Sequence, residues 1–154
     1  MSGCCPSVGP PTLTGFQDFV TNTMQIPSCA LPVDSPWVTQ AFCTAKDIVL
    51  CQLRCVSPFL YNQAVYNLAA SILIQYAPDQ QGSNFFAAYR SQNGIGKFTP
   101  GVITSSSDSS TSQSWLTPDF MKNLTLADLQ NLKNPYGLAY LAIAQSYGAI
   151  WGLT

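Results

Sequence analysis

The strongest constraint in this chain is the pairing of a small polar residue with a proline, at Ser35-Pro36, Ser57-Pro58, Thr117-Pro118 and Asn134-Pro135. A residue able to cap, followed by a ring whose fixed φ suits the first helical position, is how helices start, whereas proline inside a helix breaks it. The chain is thereby cut into short helices. After Pro36, residues Trp37, Ala41, Ala45, Ile48 and Gln52 share one face, which predicts a helix over 36–56 with Asp34 and Ser35 as its capping residues. After Pro58, an apolar stripe of Tyr61, Val65, Leu68, Ala69, Ile72 and Tyr76 runs until Pro78 stops it. The short link between the two makes 35–77 a helical hairpin with antiparallel arms. Ahead of it, Phe16, Phe19, Val20 and Met24 recur at helical spacing until Pro27 and Pro32 bend the chain.

Beyond Thr117-Pro118, which opens a short helical turn with Asp119 as a cap, Thr125-Leu-Ala-Asp128 has the spacing of a capping box, with Leu129 and Leu132 behind it. The last helix is expected over 134–148. Tyr136, Tyr140, Ile143 and Tyr147 share one face, and Leu138, Leu141, Ala142 and Gln145 share another. A helix apolar on most of its circumference needs a large core or a neighbour, and 154 residues give one domain of limited depth. Self-association follows. The tail, 149–154, comes after Gly148 and carries Ile150, Trp151 and Leu153, which need cover either from the chain's own bundle or from a neighbouring subunit.

Two stretches lack helical periodicity. The first twelve residues, rich in Gly, Pro and Ser, read as a flexible arm. Residues 79–115 carry Gly82, Gly94, Gly96 and Gly101, with Phe85, Phe86 and Tyr89 forming a short helical turn. The polar run Thr104–Ser114 then lies between Val102-Ile103 and Trp115-Leu116. Two readings of 98–117 stand side by side: an extended arm or β-hairpin turning at Ser107-Asp108-Ser109, or a serine-rich linker. In the first, Val102, Ile103, Trp115 and Leu116 are interface anchors, as are Ile150, Trp151 and Leu153 of the tail. The expected fold class is mainly α: one domain, a small helical bundle with an inserted arm or hairpin and termini that order on assembly.

Chemistry is sparse. The chain has no histidine and no glutamate, so the usual general base is missing and only scattered aspartates, lysines, tyrosines and cysteines remain. No enzyme activity, catalytic residue, metal or cofactor is expected. Charged residues make up 8% of the chain, against about 25% in ordinary domains, and the net charge is −1. The six basic residues are dispersed, so the clustered footprint of sequence-specific nucleic-acid binding is missing, and the weak net charge leaves little repulsion between copies. No apolar stretch approaches the roughly 20 residues of a membrane span, and Met1–Pro11 has neither a basic region nor an apolar one, which predicts synthesis in the cytosol and reduced thiols. Cys51 and Cys55 share a helix face but have no histidine partner, so they read as packing residues rather than zinc ligands, and Cys4-Cys5 as exposed thiols. Gly94-Ile95-Gly96-Lys97 is a turn, short of a phosphate loop.

The order of certain stretches resembles the head-to-tail adaptor (head completion, connector) proteins of tailed bacteriophages. These are Leu31-Pro-Val-Asp-Ser35, Tyr61–Ala70, Val102-Ile-Thr-Ser-Ser106, Pro118–Leu126, and Asn134-Pro-Tyr-Gly137 through Gln145-Ser-Tyr-Gly148. The resemblance covers most of the chain from Phe16 onward, and none of its motifs is catalytic. It implies a homo-oligomeric ring, typically dodecameric, in the neck of the virion, joining the portal protein to tail or nozzle proteins after synthesis in the host bacterial cytoplasm. The serine run and the cysteine content depart from that pattern. A tail-completion or minor capsid protein is the nearest alternative, and a small cysteine-dependent binding or redox protein a more distant one.

Overall fold

A computed structural model describes residues 8–96, 105–108, 111–114 and 126–147. The fold is mainly helical. Its axis is α4 (Pro58–Tyr76), against which α2 (Pro36–Ile48), α3 (Gln52–Val56), α5 (Phe85–Gln92) and α7 (Pro135–Ser146) all pack. Ser57 caps α4, its Oγ accepting from Leu60 N at 3.3 Å, with Pro58 in the first turn, and Ala77 turns extended ahead of Pro78. The expected stripe is wider than its spacing indicated: Ala64, Ala70, Leu73 and Ile74 are buried as well, because neighbours lie on several sides. Tyr76, expected in that stripe, is instead 66% exposed.

The first helix, α1 (Leu13–Asp18), is capped by Thr12 Oγ1 and continues into a π-helical turn, Phe19–Thr23. The wider winding keeps residues four apart in line, which is the spacing of buried Phe16, Val20 and Met24. Gln25, at φ 53°, then reverses the chain. The loose arm expected over 1–12 is not loose at its end. Pro11 is buried, Gly9 O accepts from Asn62 Nδ2 at 2.8 Å, and Thr12 N donates to the Tyr66 hydroxyl at 3.2 Å. Phe16, Phe19, Phe42 and Tyr66 form an aromatic cluster with centroids 5.9–6.4 Å apart.

A single helix over 36–56 does not form. It breaks at Val49, whose backbone is extended (φ −71°, ψ 121°), and resumes as α3. Unbroken winding would set Leu53 about 80° round from Ala45 at 100° per residue. The break lets Ala45, Val49 and Leu53 all reach the core, each at most 2% exposed. No side-chain hydrogen bond caps α2, so the expected capping at Asp34-Ser35 is not realised. The antiparallel pairing of α2 and α4 is realised: Phe42 and Tyr66 centroids stand 6.4 Å apart, while Trp37 lines one cavity with Tyr76.

Between α4 and α7, α5 is a two-turn helix rather than a single turn. Asp79 caps its start, accepting from Phe86 N at 2.7 Å and Ala87 N at 2.9 Å. Reciprocally, Arg90 of α5 donates to the Ile74, Gln75 and Ala77 carbonyls at 3.1, 3.2 and 2.8 Å, closing the end of α4. Two strands, β1 (Ser105–Asp108) and β2 (Thr111–Ser114), pair antiparallel with Ser105 opposite Ser114 and Asp108 opposite Thr111. Then α6 (Leu126–Asn131) leads through a tight turn into α7, capped by Asn134 Oδ1, which accepts from Gly137 N at 2.7 Å. The α7 helix buries Gly137, Tyr140, Leu141 and Ala144. Of its second expected face only Leu141 is buried; Leu138, Ala142 and Gln145 are exposed. Gly148, Asp119 and Thr125 lie outside the described residues.

Candidate functional site

The residues expected to make contacts, Val102, Ile103, Trp115, Leu116, Ile150, Trp151 and Leu153, all lie outside the described residues. Among those described, three charged side chains hold backbone: Asp79 and Arg90 cap helices, and Lys133 Nζ donates to Gly94 O at 3.0 Å. No group of three or more His, Cys, Asp or Glu residues that could hold a metal ion occurs among the described residues. Cys29, Cys43, Cys51 and Cys55 are exposed free thiols, so Cys51 and Cys55 do not pack in the core as expected. The α3 helix turns only Leu53 inward. Gly94 and Gly96 take φ of 63° and 77° in a turn, as expected of that stretch.

A groove of about 720 Å³ lies between α2 and α4, with Gln130 and Asn131 of α6 also lining it. One wall is Trp37, Gln40, Ala41, Thr44 and Ile48, and the opposite wall includes Leu68, Ile72, Gln75 and Tyr76. Trp37, Ile48 and Tyr76 remain 37%, 52% and 66% exposed along it. None of the lining residues is charged. An exposed apolar trough of this size is the surface expected of a binding site rather than of a solvated helix face.

Its α6 end is built from polar groups fixed by one buried network. Ser71 Oγ, fully buried, donates to Asn131 Oδ1 at 2.6 Å and accepts from Asn134 Nδ2 at 2.9 Å. Gln75 Nε2 donates to Ser71 Oγ at 2.9 Å and to Asn131 Oδ1 at 3.3 Å. The network ties α4 to the α6–α7 turn, so this end of the groove is rigid. Beside it, Gln130 Oε1 is a buried acceptor with no hydrogen-bond partner. Such an atom carries a desolvation penalty of roughly 1–3 kcal/mol until a donor arrives. The groove thus offers apolar walls beside a polar network that is already internally bonded.

Tyrosine is the remaining titratable type near the core. Burial, with a smaller contribution from Asp128, pushes the Tyr140 phenol up to about 12, and burial raises Tyr61, Tyr89 and Tyr136 as well. These groups stay protonated at neutral pH and act as hydrophobic bodies with a polar tip. The groove could have been suspected from Trp37, Gln40, Thr44 and Ile48, which lie on one side of α2, but their mixed polarity hides the stripe. No described helix is long and apolar enough to cross a membrane. In comparisons with known proteins, the chain matches no family model, no curated protein and no solved structure.

Proposed function

We propose that this chain is a non-enzymatic structural protein of a tailed-phage virion, a head-to-tail adaptor whose copies form a ring in the neck between the portal protein and the tail. The observation that carries the assembly part is the uncharged α2–α4 groove, with Trp37, Ile48 and Tyr76 exposed along a rigid frame. Such a surface suits permanent contact with protein more than exchange with solvent. The neck itself rests on the ordered resemblance of the stretches from Leu31 to Gly148. The paired strands Ser105–Asp108 and Thr111–Ser114 fit an arm reaching a neighbour or the portal, with Val102, Ile103, Trp115 and Leu116 flanking them in sequence. The alternative role as a tail-completion or minor capsid protein shares these features and differs in where the gene sits relative to the portal gene.

Deleting the gene from the encoding phage tests the reading. A neck adaptor leaves DNA-filled heads and separate tails, with normal head assembly, whereas a minor capsid protein alters the heads themselves. In the same system, removing residues 105–112 is expected to leave a folded protein that fails to join necks. Normal particles from that deletion would reduce the segment to a linker.

A further inference from the structure

Cysteine is among the residue types most often buried, and a free thiol left in water is usually kept for its reactivity rather than its packing. Cys51 and Cys55 are both exposed. Helix α3, which carries Cys55 and follows directly on Cys51, turns only Leu53 into the core, so neither thiol contributes to the interior of the fold.

Their spacing is set by the backbone. Cys51 has helical dihedrals (φ −64°, ψ −20°) and leads into the turn that holds Cys55, so the two positions stand about 40° apart round the axis at 3.6 residues per turn. Residues four apart on a helix have Cβ atoms about 5–6 Å from each other. A disulfide needs about 3.5–4.5 Å, so a direct S–S bond would require α3 to unwind. A thiophilic ion between the sulfurs fits without that change: a metal–thiolate bond is about 2.3 Å, which puts two opposed sulfurs about 4.6 Å apart.

The donor set then selects the ion. Structural zinc takes four ligands, and among the described residues no third cysteine, histidine or carboxylate joins the pair. Two soft thiolates with no further donor suit cuprous copper, which accepts two-fold coordination. Each thiol releases its proton to solvent, no electron moves, and the two-thiolate complex carries one net negative charge. Arg54, three residues after Cys51 on the same turn, sets a positive charge next to that position. We propose that Cys51 and Cys55 form a two-thiolate site for a soft monovalent cation, cuprous copper, on the exposed face of α3. The site is independent of the neck reading and of the groove.

The test uses the full chain with Cys4, Cys5, Cys29 and Cys43 each replaced by serine, and cuprous ion delivered anaerobically from a chromophoric chelator that reports what is withdrawn. One ion per monomer is expected by native mass spectrometry, bound about a hundredfold more tightly than by the Cys51→Ser or Cys55→Ser variant, the gain of a second ligand on one scaffold. Cys55→Ser combined with Val56→Cys turns the second thiol about 100° further round and should forfeit the same factor. Val56 is exposed, so that exchange leaves the core alone. If the four-serine chain loses helicity by circular dichroism, the same reading is taken from the otherwise unaltered chain, where Cys55→Ser should cost one tightly held ion. Binding no tighter than that of a single thiol, equal binding by the shifted pair, an ion bridging two chains, an unchanged copper count, or displacement by equimolar zinc would each overturn the site.

Discussion

Replacing Gly137 with alanine opposes two effects of known size. In a helix interior alanine is favoured over glycine by about 1 kcal/mol, so a reading of α7 alone expects stabilisation. The packing predicts the reverse. A Cβ at 137 would collide with the Asn131 carbonyl oxygen and stand 2.6 Å from Asn131 Cα and 2.7 Å from its carbonyl carbon, where ordinary contact begins at 3.4 Å. The obstacle is backbone, so α6 and α7 must separate by roughly 1 Å to restore normal contact distances. That shift carries Asn131 Oδ1 off Ser71 Oγ, now at 2.6 Å, and off Gln75, in a place where Ser71 meets no water. One buried and one partly buried hydrogen bond, together with the helix contact, outweigh the propensity gain, for a net loss of about 2–4 kcal/mol. Urea unfolding followed by circular dichroism measures it, with Gly9→Ala as control, since nothing lies within 4 Å of a Cβ there. A Gly137→Ala protein as stable as the parent would refute the close approach of α6 to α7.

Asn134→Ala removes both the cap of α7 and a donor to Ser71; a loss of about 2–3 kcal/mol is expected in the same assay, markedly non-additive with Ser71→Ala in a double-mutant cycle. Arg90→Gln strips three carbonyls at the end of α4 of their donor and should cost about 1.5–3 kcal/mol in urea unfolding. The Tyr140 phenol ionises near 10 when unfolded but is pushed up to about 12 by burial. The folded state therefore keeps a proton that the unfolded state loses, so stability holds below about pH 10 and falls as pH rises toward 12; Tyr140→Phe should flatten that fall in alkaline melts. Alkylation of the native protein without reductant is expected to label Cys29, Cys43, Cys51 and Cys55 at rates near those of free thiols.

Helix starts were legible because their causes are local: Ser57-Pro58 and Asn134-Pro135 carry cap and proline side by side, and both begin helices where expected. The break at Val49 was not, since Ala45 and Gln52 fit one periodicity and only the shared burial of Val49 and Leu53 against α4 resets it. Asp79 and Arg90 were equally opaque, each capping an element other than its own. The groove was hard to read from α2, because Trp37, Gln40, Thr44 and Ile48 mix polar and apolar side chains along one wall. The Ser71–Asn131–Asn134 network joins residues 60 and 63 positions apart, a separation at which side-chain identity carries no local signal. Tyr76 misled through its spacing, which places it in line with Ile72 but beyond the reach of α7.

The reciprocal caps at Asp79 and Arg90 bear on the order in which the molecule comes apart. Opening α5 withdraws the donor from three carbonyls of α4, while fraying of α4 past Ile74 displaces Asp79 from the amides of Phe86 and Ala87. Neither end can loosen while the other stays intact. Amide protons at residues 85–92, on a helix too short to hold itself in water, should accordingly exchange with deuterium on the timescale of the last two turns of α4 rather than at rates typical of a surface helix. The 77–84 link then behaves as one cooperative unit with the helices it joins, and the slow step of its exchange reports the opening of a seam rather than the motion of a loop.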